Sequence, residues 1–529
     1  MYSAQSTWKA IGQRASRSPD DLLIVEADGV SYTYAAALGQ ISAWRSKIQS
    51  LPGPSPVCVA ALMPNQAALH LLRLACTNAG RVFIAINPLL RGKPLVDALE
   101  RSGVTDLIVS EDAEENLSAV RAGLGAGLRV HRLRDGRIDF SGLVDLGIDE
   151  SAEPESSDVA DIMIYTSGTS GPAKPVRLSP AAVSLYGRFL FGDGYDHWAT
   201  GGGYYSPWHP AHVLGAVALE AAILRNLTLV TRRGWKFEYF WDDVQEHNCK
   251  LTMLISVAEK VWASRSAAPA PNCLDMVGIS PAVRDYRAFG LAFDIDVLSI
   301  YGMTELGTVL TASLPSDNRV TGTPSSCYEC RIDPLVTSSP ASTGFDEIGE
   351  LVVRPLGPRS TYAAGPDDQF GGWVDGWFHT GDRFSVRSGE FRFEGRVKDS
   401  IRHHGRNISA FDLEFEVRSL PGVKDCVTVG HSVSSCPSDA PDAEQEVRVF
   451  VLLADGASWS AADLLEELAK RLPMFMVPRY VDLVSDFPRT LSGKVSRAML
   501  RGIPLGDGTY DRKAGPVEGL RVSRTSVGR

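Results

Sequence analysis

From residue 57 the chain reads "VCVAALMPNQAALHLLRLACTNAGRVFIAINPLL": a short apolar stretch, a turn at Pro64 and Asn65, a segment of helical periodicity, Gly80, and a second apolar stretch. "VTDLIVSED" (104–112) adds a third strand. The alternation continues through "LTLVTR" (227–232), "LTMLIS" (251–256), "DMVGIS" (275–280) and "DVLSIYG" (296–302). Strands that alternate with helices predict a parallel sheet covered on both faces. The first 400 or so residues therefore read as one large, layered α/β body with internal subdomains. The apolar stretch 213–230 contains Glu220, Arg225 and Asn226, which would be costly in hydrocarbon, so it predicts a buried helix followed by a strand and no membrane span.

Between 313 and 395 the pattern changes to short strands and turns, such as "GELVVRP" and "GEFRFEGR", a β-rich portion that closes this body. After Asp399 a smaller α+β unit begins, with "VKDCVTVGHSV", "EVRVFVLLADG" and the helix "SAADLLEELAKRL". Ser460 and Asp463 form a capping-box-like start, Leu464, Leu468 and Leu472 share one face, and Pro473 ends the helix. The Gly-rich tail after residue 502 is weakly patterned and is expected to be mobile.

A chain of 529 residues has room for roughly three to four domain-sized units. With 44% hydrophobic and 22% charged residues it is neither disordered nor a coiled coil. A net charge of −10 argues against a protein that coats nucleic acid through clustered Lys and Arg. No basic start, apolar run and small-residue cleavage site mark a secretion signal. The eight cysteines are dispersed, with one Cys-x-x-Cys at 327–330 and no second pair at zinc spacing, which favours reduced cytoplasmic thiols over a metal site.

The chemistry gathers at "YTSGTSGPAK" (165–174), which follows the apolar run "DIMIY" and precedes a helix start at Ser179 and Pro180. A strand–loop–helix setting suits phosphate. Glycines let backbone N–H groups converge on an anion, the hydroxyls of Thr166, Ser167, Thr169 and Ser170 add donors, and Lys174 adds charge. The Gly-Lys-Ser/Thr ending of a Walker A loop is missing, so a different nucleotide fold is required. Taken alone the segment reads equally as a flexible linker.

Four further stretches, "YGMTELG" (301–307), "FHTGD" (378–382), "FEGRVKDSIRHHGRNIS" (393–409) and "PRTLSGKVSR" (488–497), follow it in the order and spacing of the adenylate-forming superfamily. The chain resembles that superfamily over roughly residues 10–502, and its wording is nearest to the carnitine/crotonobetaine-CoA-ligase-like branch of the acyl-CoA synthetases. The resemblance implies a large N-terminal ATP- and acid-binding domain (1–397), a small mobile C-terminal domain with a catalytic lysine (398–502), and a tail (503–529).

It also implies roles. The loop Thr166, Ser167, Gly168, Thr169, Ser170, Gly171 and Lys174 would wrap the outer phosphates of ATP, Thr304 would meet the α-phosphate, and Glu305 would hold Mg²⁺. Tyr301 with Gly302 would lie against adenine, opposite Gly278, Ile279, Ser280 and Pro281, while Asp382 and Arg396 would take the ribose hydroxyls. Lys494 would stabilise the adenylation transition state, Lys398 would be the hinge, and Gly405 would leave room for the pantetheine arm of CoA. For the acid pocket the resemblance points to His212, with His209 the less fitting alternative, beside Trp208 and Met303; a compact or aromatic acid is favoured. A turn Tyr-Gly, a turn Gly-Asp, a surface Arg and a solvated turn Lys remain the plain readings of these residues taken singly.

Two departures stand out. Lys174 is followed by Pro175 where the family continues with glycine, and Arg406 stands where that branch often has an acid. Three functions are open: an acid:CoA ligase, a synthetase that passes the same adenylate to an amine or another nitrogen nucleophile in bacterial secondary metabolism, and an inactive nucleotide-binding homologue. The first is expected. The particular acid, the oligomeric state and the pathway are not legible.

Overall fold

The computed structural model describes residues 7–53, 57–125, 127–139, 160–166, 174–193, 201–255, 257–263, 273–280, 286–313, 320–335, 347–362, 372–403, 406–432, 444–489, 495–506 and 508–516. The α/β alternation predicted from the apolar pattern is present, but it is divided between two sheets.

The first sheet has eight strands. The run Ile162–Thr166, Val82–Ile86, Cys58–Leu62, Asp106–Ser110 and Arg129–Arg134 is parallel throughout. Its central strands are buried at every position, as expected of a sheet covered on both faces. The second sheet has 14 strands. Its parallel part joins Leu22–Glu26 to Thr228–Thr231 from across the chain, then adds Gly203–Tyr205, Cys249–Ile255, Met276–Ser280 and Asp296–Met303. From Gly307 onward the same sheet turns antiparallel and takes in the β-rich portion, ending at Tyr328–Asp333. One hydrophobic core packs between the two sheets, with the almost wholly buried helix Ala67–Asn78 inside it.

The stretch 213–230 is two short buried helices, Val213–Ala216 and Ala218–Ile223, followed by the strand Thr228–Thr231. Glu220 lies at 1% exposure because Arg73 pairs with it at 2.7 Å from the neighbouring helix. No helix among the described residues is long and apolar enough to cross a membrane.

The C-terminal region has its own core, built on Leu413, Val417, Val449, Val481, Leu464 and Leu468. The helix Ala461–Arg471 starts with a complete capping box between Ser460 and Asp463. The tail differs from expectation over its first part. Thr509–Asp511 pairs with Tyr480–Val484, and Gly515–Pro516 pairs with Thr509–Asp511. The anchor is Asp482, which accepts from Thr509 Oγ1 at 2.6 Å and from Nε and Nη2 of the buried Arg448 guanidinium. Burying that ion pair requires every one of its polar atoms to be matched, and the tail supplies carbonyls of Ile503 and Pro504 to Arg448 for this purpose.

Candidate active site

The glycine-rich segment joins two antiparallel strands, Ile162–Thr166 and Lys174–Leu178, with Thr166 opposite Lys174. This corrects the strand–loop–helix expectation: a strand intervenes before the helix Pro180–Arg188, whose cap is Ser179 as predicted. Ser167, Gly168, Thr169, Ser170 and Gly171 lie outside the described residues. Pro175 sits within the second strand, opposite Tyr165. A proline is tolerated there because only the two-residue strand Thr361–Tyr362 lies beyond, at the sheet's edge.

Tyr301, Gly302, Met303, Thr304 and Glu305 form the end of one strand and the turn into the next, Gly307–Ser313. Two glycines permit this turn. A Cβ on Gly302 would stand 2.1 Å from the Gly307 carbonyl oxygen, and Gly307 has φ +74° with the Tyr186 ring where its Cβ would go. Glu305 is then held by three hydroxyls: its backbone oxygen accepts from Tyr186 Oη at 2.6 Å and from Ser360 Oγ at 2.7 Å, and its Oε1 accepts from Tyr362 Oη at 3.2 Å. Burial pushes the Glu305 carboxyl above its ordinary pKa, and the positive charge of Lys174 opposes that shift. Lys174 Nζ lies 5.9 Å from the Tyr362 ring centroid. The loop lysine and the acid of the turn thus meet around one tyrosine.

On the other side of the turn Tyr301 donates through Oη to Asp382 Oδ2 at 2.7 Å. Asp382 and Arg396 face each other across paired strands, with Arg396 Nε 3.6 Å from Asp382 Oδ1. Burial raises the Asp382 carboxyl, while Arg396 and the Tyr301 hydroxyl pull it down. The backbone before Asp382 is fixed by Glu350, which accepts from Gly381 N at 2.9 Å and pairs with His379 Nδ1 at 3.1 Å. Gly278, Ile279 and Ser280 lie on the strand parallel to that of Tyr301, and a Cβ on Gly278 would strike Met253 Sδ at 2.1 Å. Pro281 lies outside the described residues.

His209 and His212 differ in kind. His209 Nδ1 accepts from Ala211 N at 3.0 Å, which makes Nε2 the donor to the Met63 carbonyl at 2.9 Å. Both nitrogens are used, and burial lowers its pKa to about 4, so it is a neutral structural histidine. His212 caps the helix Val213–Ala216 and lies against Trp208, ring centroids 5.6 Å apart. Trp208 donates to the Met253 carbonyl at 2.7 Å, which places this pair beside Gly278. Met303 packs half-buried against the main core.

Lys398 lies in the short turn Val397–Asp399 between the two regions. The next residue, Asp399, pairs with Arg501 at 2.9 Å and with Arg497, the last residue of the lysine motif, at 3.4 Å. Lys494 and Gly405 lie outside the described residues. Among the described residues no group of three or more His, Cys, Asp or Glu is placed to hold a metal ion. Cys327 and Cys330 are free thiols pushed up to about 12 by burial.

The sequence reading did not find Tyr186, Ser360, Tyr362 or Glu350. None belongs to a spaced motif of its own; each is recognisable only by what it touches.

The described site can be set beside known proteins. The model of the AMP-binding enzyme family matches residues 11–362, and that of the AMP-binding enzyme C-terminal domain matches residues 412–494. The feruloyl-CoA synthase of Amycolatopsis sp is 27% identical over 511 residues, 92% of this chain and 97% of the relative. The crotonobetaine/carnitine–CoA ligase of Citrobacter koseri is 26% identical over 378 residues, 66% of this chain and 68% of the relative. Among solved structures, the o-succinylbenzoate CoA synthetase of Bacillus subtilis in complex with ATP and magnesium ion superimposes with a TM-score of 0.78 at 18% identity, covering 94% of this chain and 99% of that one. With the family model spanning most of the large body, this chain belongs to the AMP-binding enzyme family.

Proposed function

We propose that this chain is an ATP-dependent, AMP-forming acid–thiol ligase. One carboxylate oxygen of the acid attacks the α-phosphorus of ATP, the bond from that phosphorus to the bridging oxygen breaks, and pyrophosphate leaves with the electron pair. The CoA sulfur then attacks the carbonyl carbon of the acyl-adenylate, AMP leaves, and a thioester remains. The observation that carries this reading is the convergence on one turn, Tyr301–Glu305, of Lys174, Tyr362, Asp382 and Arg396 from distant segments.

In this reading Asp382 and Arg396 bind the ribose hydroxyls, and Tyr301 with Gly278, Ile279, Ser280 and Pro281 encloses adenine. Thr166 to Gly171 and Lys174 hold the outer phosphates, Thr304 the α-phosphate. In-line attack on phosphorus needs positioning and charge stabilisation more than covalent help, and these groups are of that kind. Mg²⁺ usually takes one or two carboxylates and completes its shell with substrate phosphates and water. A single enclosed carboxylate beside the loop lysine suits that donor set, so Glu305 would hold the ion, which would neutralise developing phosphate charge. Lys494 stabilises the transition state from the small domain, and rotation at Lys398 exchanges it for the surface bearing Gly405, where CoA enters. Trp208, His212 and Met303 line the acid site; the tilted Trp208–His212 pair fits a compact or aromatic acid. The seven cysteines among the described residues are free thiols, which suits the reducing cytoplasm.

Pyrophosphate release across a panel of carboxylic acids tests the first step, and no release with any acid refutes it. Mass spectrometry of products with CoA or an amine supplied in turn tests the second. An amide formed with CoA unconsumed would replace the thiol by a nitrogen acceptor.

A further inference from the structure

Three hydroxyl groups from two distant segments converge on Glu305, and two of them come from one short segment, Tyr362 in the strand Thr361–Tyr362 and Ser360 just before it. Ser360 and Tyr362 are two residues apart, so in an extended backbone their side chains leave on the same side. Ser360 is 1% exposed and Tyr362 7%, whereas Thr361 between them is exposed. Ser360 reaches the Glu305 backbone oxygen and Tyr362 reaches its Oε1. The strand pairs with Val176 and Arg177, two and three residues after Lys174, and the face of the Tyr362 ring lies toward Lys174 Nζ. A two-residue strand adds little to the sheet by itself. It does fix the acid of the turn and the lysine of the phosphate loop against one another.

We infer that Tyr362 is a positioning residue for metal-bound ATP, its hydroxyl orienting the Glu305 carboxylate and its ring seating Lys174, with Ser360 holding the Glu305 backbone in place. This rests on the reading of Glu305 as the magnesium ligand. The two functions of the side chain are separable. Tyr362→Phe keeps the ring and removes the donor, and Tyr362→Leu removes both.

The test is equilibrium binding of a non-hydrolysable ATP analogue by calorimetry over a series of Mg²⁺ concentrations, with no acid or CoA present. A hydrogen bond to a charged group is worth enough that Tyr362→Phe is expected to raise the Mg²⁺ concentration for half-saturation about tenfold. Analogue affinity at saturating Mg²⁺ is expected to change by less than about twofold, since the ring that seats Lys174 remains. Tyr362→Leu is expected to weaken the analogue about threefold more at saturating Mg²⁺ through loss of the cation–π seat. Ser360→Ala is the second variant, expected to shift the Mg²⁺ midpoint about threefold in the same direction, and it decides the matter if Tyr362→Phe does not fold. A folded Tyr362→Phe with the parent Mg²⁺ midpoint overturns the inference and leaves the role of Glu305 intact. A folded Glu305→Gln with the parent Mg²⁺ midpoint, or parent protein whose analogue binding ignores Mg²⁺, overturns the reading of Glu305 and this inference with it.

Discussion

Two buried histidines make the large domain sensitive to acid. His70 lies on the central helix at 0% exposure, its Nε2 against Asn65 Oδ1 at 3.3 Å. Burial first, then the charges of Arg73 and His209, lower its pKa to about 3; burial lowers that of His209 to about 4. For a base whose folded pKa is depressed, the unfolded chain binds the proton first. Stability is therefore lost as pH falls through the unfolded value of 6.5, and the loss continues until the folded value is reached. Between about pH 7 and pH 5 the unfolded form of each histidine gains its proton while the native form stays neutral, a cost of about 2 kcal/mol each and about 4 kcal/mol together. The assay is urea unfolding followed by tryptophan fluorescence at both pH values, on the parent, His70→Gln and His209→Gln. Each substitution removes one titrating group while keeping an amide donor, so each variant should lose about 2 kcal/mol less than the parent on acidification. A variant whose acid-induced loss equals that of the parent would refute the claim that its histidine is buried neutral.

Further outcomes are expected. Lys494→Ala should slow adenylation roughly 10²–10³-fold, as loss of one oxyanion-type donor does, measured by pyrophosphate release at saturating acid and ATP. Asp382→Asn keeps an acceptor for Tyr301 but removes the charge facing Arg396, and should raise the KM for ATP by about tenfold with a smaller effect on the KM for the acid. Glu414→Gln should destabilise the C-terminal domain by about 2 kcal/mol, because Arg497 and Arg418 both pair with this 1%-exposed carboxylate and would keep only their second partners, Asp399 and Asp425; thermal unfolding reads it. Gly307→Ala, at φ +74° with the Tyr186 ring in the way, should cost about 2–4 kcal/mol and be seen as a lowered urea midpoint.

The apolar and polar pattern determined the element types and the two-region plan, because periodicity in burial is written locally. The runs at 58–62, 82–86 and 106–110 became central parallel strands, and Ser460 with Asp463 capped its helix as read. The five motifs were equally legible, since their glycines and hydroxyls carry their geometry with them. What the sequence could not decide was which distant pieces touch. That Leu22–Glu26 pairs with Thr228–Thr231, that the alternating strands split between two sheets, and that the tail after residue 502 adds strands to the small domain all depend on long-range pairing. The same holds at the site. His209 and His212 are similar in sequence, yet hydrogen bonds to Met63 and Ala211 make the first structural. Ser360 and Tyr362 had no motif to announce them; only the edge strand Thr361–Tyr362 and the residue before it, docked beside the strand that starts at Lys174, bring their hydroxyls to Glu305, because a side chain's chemistry is local but its partner is chosen by the fold.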